Sequence, residues 1–178
     1  MRDLRLAVAV LEVSAGAVHA RSEALDLRLI QGDYKRRFQS EYIGGGKYAA
    51  SDHLRIVRHG ANAAYFSVSL DFVNGHTCFL DGIAVQRRAE LIFRKLMMDG
   101  RECRMRIVVE RGRVKLHDED RRCQQFSCGA RGGYSGVDFR LSLRRPLRNA
   151  AAFRRSEEFR SAVEAYESLP PVSVSCRD

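Results

Sequence analysis

The sequence has no tryptophan, only three prolines and only four lysines among its 31 basic residues. It contains no apolar run long enough to cross a membrane as a helix, which excludes an integral helical membrane protein. It also lacks the tight cysteine pairs of structural zinc sites, the P-loop of nucleotide-binding proteins and the periodic acids of a calcium loop. What remains is a chain of 178 residues, 45% of them hydrophobic, which is enough for one globular domain with a substantial core.

Positive charge is what the sequence has in excess. The 31 basic residues outnumber 22 acidic ones and give a net charge of +9. Such a surface attracts phosphates and anionic glycans at low salt. The arginines are scattered along the chain in separate pairs, however, and no recognition helix or aromatic stacking platform accompanies them. We therefore expect the partner to be an unknown protein or an anionic envelope polymer, with nucleic acid disfavoured and the oligomeric state open.

Residues 1–20 have the features of a signal peptide. Arg2 and Arg5 give a basic start, an apolar run follows, and Val18 and Ala20 fit the positions before a signal-peptidase site. An acidic residue interrupts the apolar run, so an ordinary first helix or strand is the alternative. Export predicts a periplasmic or secreted protein, and cleavage would leave the net charge at +9.

Five cysteines, Cys78, Cys103, Cys123, Cys128 and Cys176, bear on the same question. In an exported protein the default expectation is that the first four form disulfides. Cys123 and Cys128 enclose four residues that a local loop can close, and Cys78 and Cys103 lie on predicted strands and would then pair across the sheet. The connectivity stays open at this stage. A zinc site that adds His76 to these cysteines and a set of inert core thiols are the alternatives, and Cys176 is left over.

From residue 33 to residue 145, apolar and polar side chains alternate with a period of two, and turn residues interrupt the pattern. The plainest run has one apolar face made of Ala64, Phe66, Val68, Leu70 and Phe72. It is typical of a half-buried antiparallel strand, and the Asn74-Gly75 that follows favours a type I′ hairpin turn. The whole pattern predicts a mainly β fold, an antiparallel meander of seven or eight strands closed as a small barrel or sandwich.

A C-terminal helix is expected after the sheet. Ser156 is a suitable N-cap, and the acids that follow it suit the positive end of the helix dipole. The side chains predicted to pack on the barrel are Phe159, Ala162, Val163 and Tyr166. We expect a helix of about 13 residues. Residues 21–168 then form a single disulfide-stabilised domain, and residues 169–178 form a tail.

The sequence NGHTC at residues 74–78, then Cys103, then Cys123 with CGARG at residues 128–132, resembles a family of small exported bacterial proteins. These are similar to periplasmic lysozyme-inhibitor-like proteins, and the resemblance covers residues 33–167. It implies a signal peptide, a disulfide-bonded β-rich domain and a non-enzymatic binding role. Better-understood lysozyme inhibitors plug their target's active-site cleft with a short loop. No such loop motif is present here, so no inhibitory residue is carried over.

The sequence predicts no catalytic residue, no cofactor and no metal ligand. Asn74, Gly75 and His76 form the candidate functional turn. His76 lies two residues from Cys78, but a cysteine–histidine nucleophile needs a third, orienting group, so we expect His76 to hydrogen-bond the turn. The prediction is therefore an exported, non-enzymatic binding protein. The alternative is a cytoplasmic basic module that binds nucleic acid, with or without zinc.

Overall fold

The computed structural model describes residues 24–169, so the predicted signal peptide, Cys176 and nearly all of the predicted tail lie outside it. Eight antiparallel strands form one sheet in sequence order. The strands are β1 Gly32–Glu41, β2 Lys47–His59, β3 Ala63–Asp71, β4 Thr77–Arg87, β5 Glu90–Leu96, β6 Glu102–Glu110, β7 Arg113–His117 and β8 Asp138–Arg140. The helices are α1 Leu27–Ile30, α2 Arg122–Ser127, α3 Ala150–Phe153 and α4 Glu157–Glu167, with 3₁₀ turns at Val73–Gly75 and Leu141–Leu143. None of the helices described here has the length and apolar character needed to cross a membrane.

The predicted antiparallel meander is confirmed, and it forms a nearly closed barrel. Each strand pairs with its neighbour in the chain, and a bridge between Asp33 and Arg145 joins the two ends of the sheet. In that bridge Asp33 N donates to the carbonyl of Arg145 at 3.0 Å, and Arg145 N donates to the carbonyl of Asp33 at 2.8 Å. The alternation of Val137, Phe139, Leu141 and Leu143 in the sequence predicts a last strand over residues 137–143, which is too long, because the chain turns at Leu141–Leu143 to bring Arg145 to the edge of β1.

The predicted hairpin turn after β3 is also confirmed. Asn74 and Gly75 both have the positive φ that a type I′ turn requires, 63° and 71°. Arg111 and Gly112 repeat the arrangement between β6 and β7, with φ of 49° and 72°. Glycine and asparagine tolerate this left-handed region at little cost, which is why the Asn74-Gly75 turn was readable from the sequence.

Alternate residues of each strand fill the barrel with apolar side chains. The buried interior includes Leu54, Ile56, Phe66, Val68, Leu70, Leu80, Leu91, Phe93, Met105, Ile107, Val114, Leu116 and Phe139. At one end α1 adds Leu27 and Ile30 to this core, and Tyr34 donates its hydroxyl hydrogen bond to the carbonyl of Ile30 at 2.6 Å. The interior is therefore a packed core, as in other small barrels whose side chains meet at the axis.

The C-terminal helix covers the outer face of β2, β3 and β4. Ser156 caps it by accepting a hydrogen bond from Phe159 N, as predicted, and the helix has 11 residues rather than about 13. Phe159 and Ala162 are buried against Val57, Tyr65 and Ile83. This second cluster explains why Tyr65, which points out of the barrel, is fully buried.

Two carboxylates and one phenol meet under this helix. Tyr65 donates a hydrogen bond to Glu158, and Asp81 Oδ2 lies 3.4 Å from the same hydroxyl oxygen. Burial raises the pKa of Asp81 above its usual value of 3.8, and the negative charge of Glu158 adds to the shift. A carboxyl group whose pKa rises on folding stabilises the protein below its unfolded pKa, and this contribution is lost as pH rises through the folded value.

We therefore expect Asp81→Asn to match the wild-type free energy of unfolding at about pH 3 and to exceed it at neutral pH. Urea unfolding across this range measures the difference. Asp99→Asn is the control of opposite sign, because a hydrogen bond from Arg101 lowers the pKa of Asp99. That variant should match the wild type in acid and be less stable at neutral pH, and the same pH trend in both variants would contradict the prediction.

Candidate functional site

Four connections between strands lie at the same end of the barrel, because alternate turns of a meander share an end. They are residues 42–46, 72–76, 97–101 and 118–137, and we call this end the loop face. The predicted functional turn lies in the second of these connections. Hydrogen bonds, a ring stack and two disulfides join the four connections into one surface.

Tyr48 ties the first two connections together. Its hydroxyl donates to the carbonyl of Phe72 at 2.7 Å and accepts a hydrogen bond from Gly75 N at 3.0 Å. Its ring stacks on that of Tyr42, with 4.6 Å between the ring centroids. The turn is therefore fixed by a side chain 27 residues away in sequence.

His76 joins this turn to the long connection of residues 118–137. A Cβ built on Gly129 would lie 2.9 Å from Nδ1 of His76, so the imidazole packs directly on this glycine. Gly129 N also donates to the carbonyl of Thr77 at 2.9 Å. Within the described residues the His76 side chain forms no hydrogen bond, so the expectation that it would bond the turn is wrong, and Tyr48 fills that role. The NGHTC and CGARG segments are thus in contact.

Two disulfides hold the long connection against the barrel. Cys78 on β4 bonds to Cys128, and Cys103 on β6 bonds to Cys123. All four predicted cysteines are therefore used, but the pairing considered from the sequence is wrong. The short helix α2 holds Cys123 and Cys128 at its two ends, from which each reaches a different strand. Bonded sulfurs are not thiolates, so the zinc site that would have used them with His76 is excluded in this oxidised chain.

The acidic run at residues 118–120 also serves the long connection. The Asp118 carboxylate accepts hydrogen bonds from the backbone N of Cys123 at 3.2 Å and of Gln124 at 2.7 Å, which satisfies the start of α2. Burial is the largest effect on the pKa of Asp118 and raises it. The two acids that follow pair with Arg106 and Arg122. In residues 24–169 no group of three or more histidines, cysteines or acids is placed to hold a metal ion.

Exposed apolar side chains collect at the loop face. Seven of the nine large hydrophobic residues that are exposed in the described chain lie in its connections or at the adjoining strand ends: Tyr42, Ile43, Val73, Phe79, Leu96, Met98 and Phe126. The Lys95 ammonium covers the Phe126 ring at 4.7 Å from its centroid. Grouped apolar side chains on a soluble surface mark binding sites for other molecules. None of these seven side chains was predicted from the sequence to be part of a binding surface.

The opposite end carries the positive charge. The arginines exposed or half-buried there, none of which forms an ion pair within residues 24–169, are Arg28, Arg58, Arg88, Arg111, Arg144, Arg145, Arg148, Arg154 and Arg155. We call this the arginine end. Arginines that are scattered in sequence thus gather in space, and Arg28, Arg58 and Arg154 line a cavity of about 830 Å³.

Gly132 is where the long connection packs most tightly on a disulfide. A Cβ at this position would lie 2.5 Å from Sγ of Cys78 and 3.1 Å from Cβ of Cys128. We expect Gly132→Ala to lower the free energy of unfolding of the oxidised protein by about 2 kcal/mol, as overpacked cores do. The matched control is Gly133→Ala, whose Cβ meets only the flexible end of Gln124 at 3.2 Å. Urea unfolding that gives equal stability for the two variants would contradict this packing.

No family model matches the chain, and no curated protein or solved structure matches it either. What the loop face binds must therefore be inferred from its own residues, contacts and charges.

Proposed function

We propose that this is an exported, non-enzymatic binding protein that holds a partner protein at the loop face, in the manner of the lysozyme-inhibitor-like proteins that its cysteine pattern resembles. The observation that carries the proposal is an apolar surface on four connections that two disulfides and Tyr48 hold in place. A fixed apolar surface binds with little loss of conformational entropy. Exposed aromatic and aliphatic anchors are the side chains that dominate protein interfaces.

The two disulfides support an oxidising compartment outside the cytoplasm. Disulfides persist in the periplasm and in secreted proteins and are rare where glutathione and thioredoxin keep thiols reduced. Their closed loops span 50 and 20 residues, which corresponds to about 4 and about 3 kcal/mol of stabilisation by the chain-entropy estimate. A protein stabilised by such bonds is suited to an oxidising compartment, where disulfides persist.

A binding role fits the polar groups of the loop face better than a catalytic one. His76 packs on Gly129, Asp118 is engaged by the start of α2, and the cysteines are oxidised. A nucleophilic mechanism needs an activated nucleophile beside a base, and the oxidised Cys78 and Cys128 supply no thiolate beside His76.

The first connection is the element best shaped to enter a cleft. Tyr42 and Ile43 stand at the tip of the β1–β2 hairpin, exposed by 50% and 60%, and Gly44–Gly46 complete the turn with positive φ. The charge of the chain indicates the kind of target. With a net charge of +9 and its one acidic run paired internally, this protein would meet a strongly basic lysozyme with like charge. A weakly basic or acidic muramidase, or another envelope protein of that charge, suits it better.

Export is tested on protein recovered from its native host by intact mass spectrometry, with thiol alkylation before and after reduction. We expect a chain that begins after Ala20 and four cysteines that are alkylated only after reduction. Protein that keeps Met1 and has all its thiols free would overturn the export proposal.

The loop face is tested with two variants of matched exposure. Ile43→Asp with Phe126→Asp changes side chains exposed by 60% and 44%, and Leu29→Asp with Leu143→Asp changes side chains exposed by 64% and 43% at the arginine end. Each protein is immobilised, envelope extract is passed over it, and retained proteins are quantified by mass spectrometry beside muramidase-inhibition assays.

We expect the loop-face variant to retain its partner at least tenfold less than the wild type, because a charge placed in an apolar interface is desolvated without a partner. The control variant should retain it unchanged. Equal retention by all three proteins would contradict the loop face as the binding surface. Retention lost only in the arginine-end variant would likewise contradict the loop face and would indicate that the partner binds at the arginine end.

A further inference from the structure

One edge of β1 is open over most of its length. On one side β1 pairs with β2 from Gly32 to Glu41, but on the other side its only described partner is the bridge between Asp33 and Arg145. The strand that should lie there, β8, has only three residues and pairs with β7. In the described part of the chain the edge of β1 beside residues 35–41 therefore has no hydrogen-bonded neighbour, although β8 and the two 3₁₀ turns lie close to the strand, and we call this stretch the gap.

The backbone groups that face this gap can be identified from the bridge. The N–H and the carbonyl of Asp33 both point to Arg145, and alternate residues of an antiparallel strand point the same way. Lys35, Arg37 and Gln39 therefore direct their N–H and carbonyl groups into the gap, and within residues 24–169 those groups have no backbone partner there. A row of unpaired donors and acceptors at a strand edge is a template for another strand.

The gap opens on a cavity of about 530 Å³ at the end of the barrel nearest the loop face. Its apolar lining comes from Phe38, Phe72, Val73 and Val137. The acid deepest in the lining, Asp52, is buried and engaged by Nε of Arg36 at 2.9 Å and by the backbone N of Asp71 at 3.0 Å. With this acid engaged, the cavity suits an apolar side chain of modest size.

The side chains on the outer face of β1 beside the gap are basic. Lys35 and Arg37 point away from the barrel interior and are exposed, and neither has an ion-pair partner in the described structure. A strand added beside β1 would place alternate side chains next to these two cations and the residue between them toward the cavity.

We propose that the open edge of β1 binds an extended acidic segment of a partner protein, in which an apolar residue that enters the cavity is flanked by carboxylates that face Lys35 and Arg37. Backbone hydrogen bonds to Lys35, Arg37 and Gln39 would supply affinity, and the alternation of acidic and apolar side chains would supply specificity. This site borders the loop face and shares Phe72, Val73 and Val137 with its connections, but it does not include Ile43 or Phe126.

The probe is a blocked seven-residue peptide that alternates glutamate and valine, added to the full-length protein at about 1 mM, where even weak binding is visible. Amide hydrogen exchange is followed by NMR. We expect exchange at Lys35, Arg37 and Gln39 to slow at least tenfold, while Tyr34 and Arg36, whose amides already face β2, are unchanged. A peptide N-methylated on the edge that would face β1 should have no effect.

Charge is tested with Lys35→Glu and Arg37→Glu together, against Arg87→Glu and Arg104→Glu, which make the same change in net charge at exposed strand positions elsewhere. The first double variant should bind the glutamate–valine peptide at least tenfold more weakly than the wild type and should prefer a lysine–valine peptide. The second double variant should keep the wild-type preference for the glutamate–valine peptide. The Ile43→Asp, Phe126→Asp protein should bind the peptide normally, which separates this site from the loop face.

Three results would overturn the proposal. The first is unchanged exchange at all three amides in the presence of peptide. The second is equal binding of the N-methylated peptide. The third is strong protection of Lys35, Arg37 and Gln39 in the free protein, because the edge would then already be covered by the chain itself.

Discussion

The fold depends on how the two edge strands of the sheet, β1 and β8, are joined. Seven pairings between neighbouring strands leave β1 and β8 as edges, and two backbone hydrogen bonds between Asp33 and Arg145 bring them together. To reach that bridge the chain leaves the strand conformation after Arg140, so β8 is short and the wall beside β1 is incomplete. The bridge that joins the sheet at the start of β1 thus leaves the rest of that strand edge unpaired toward the loop face. The same alternation of turns sorts the apolar connections to one end and the arginines to the opposite one.

The loop face is ordered by contacts that are distant in sequence. Tyr48 holds the turn at residues 72–76, Gly129 packs on His76, and α2 is anchored through Cys123 and Cys128. Together these contacts present exposed apolar side chains on a fixed support. A preorganised surface of this kind suits recognition of another macromolecule.

The fold was readable from the sequence because its signals are local. Alternation in β3, the Asn74-Gly75 turn and the Ser156 cap each concern neighbouring residues, and all three are confirmed. The disulfide pairing was not readable, because it depends on a six-residue helix with no clear apolar periodicity. The candidate turn was correctly found as a turn, but the apolar side chains around it come from connections about 25 residues apart. The arginines of the arginine end are likewise scattered in the sequence, because they come from segments that are far apart in the chain.

The two disulfides differ in exposure. Cys103 and Cys123 have no exposed surface, so neither an oxidant nor a reductant of protein size can reach their bond in the folded barrel, whereas Cys128, the partner of Cys78, is partly exposed. Thiol–disulfide exchange requires a thiolate to attack along an accessible sulfur. The Cys103–Cys123 bond must therefore form while the long connection is still open, during folding rather than after it. Once that connection closes over it this bond is kinetically protected, while the Cys78–Cys128 bond keeps one sulfur-bearing residue at the surface.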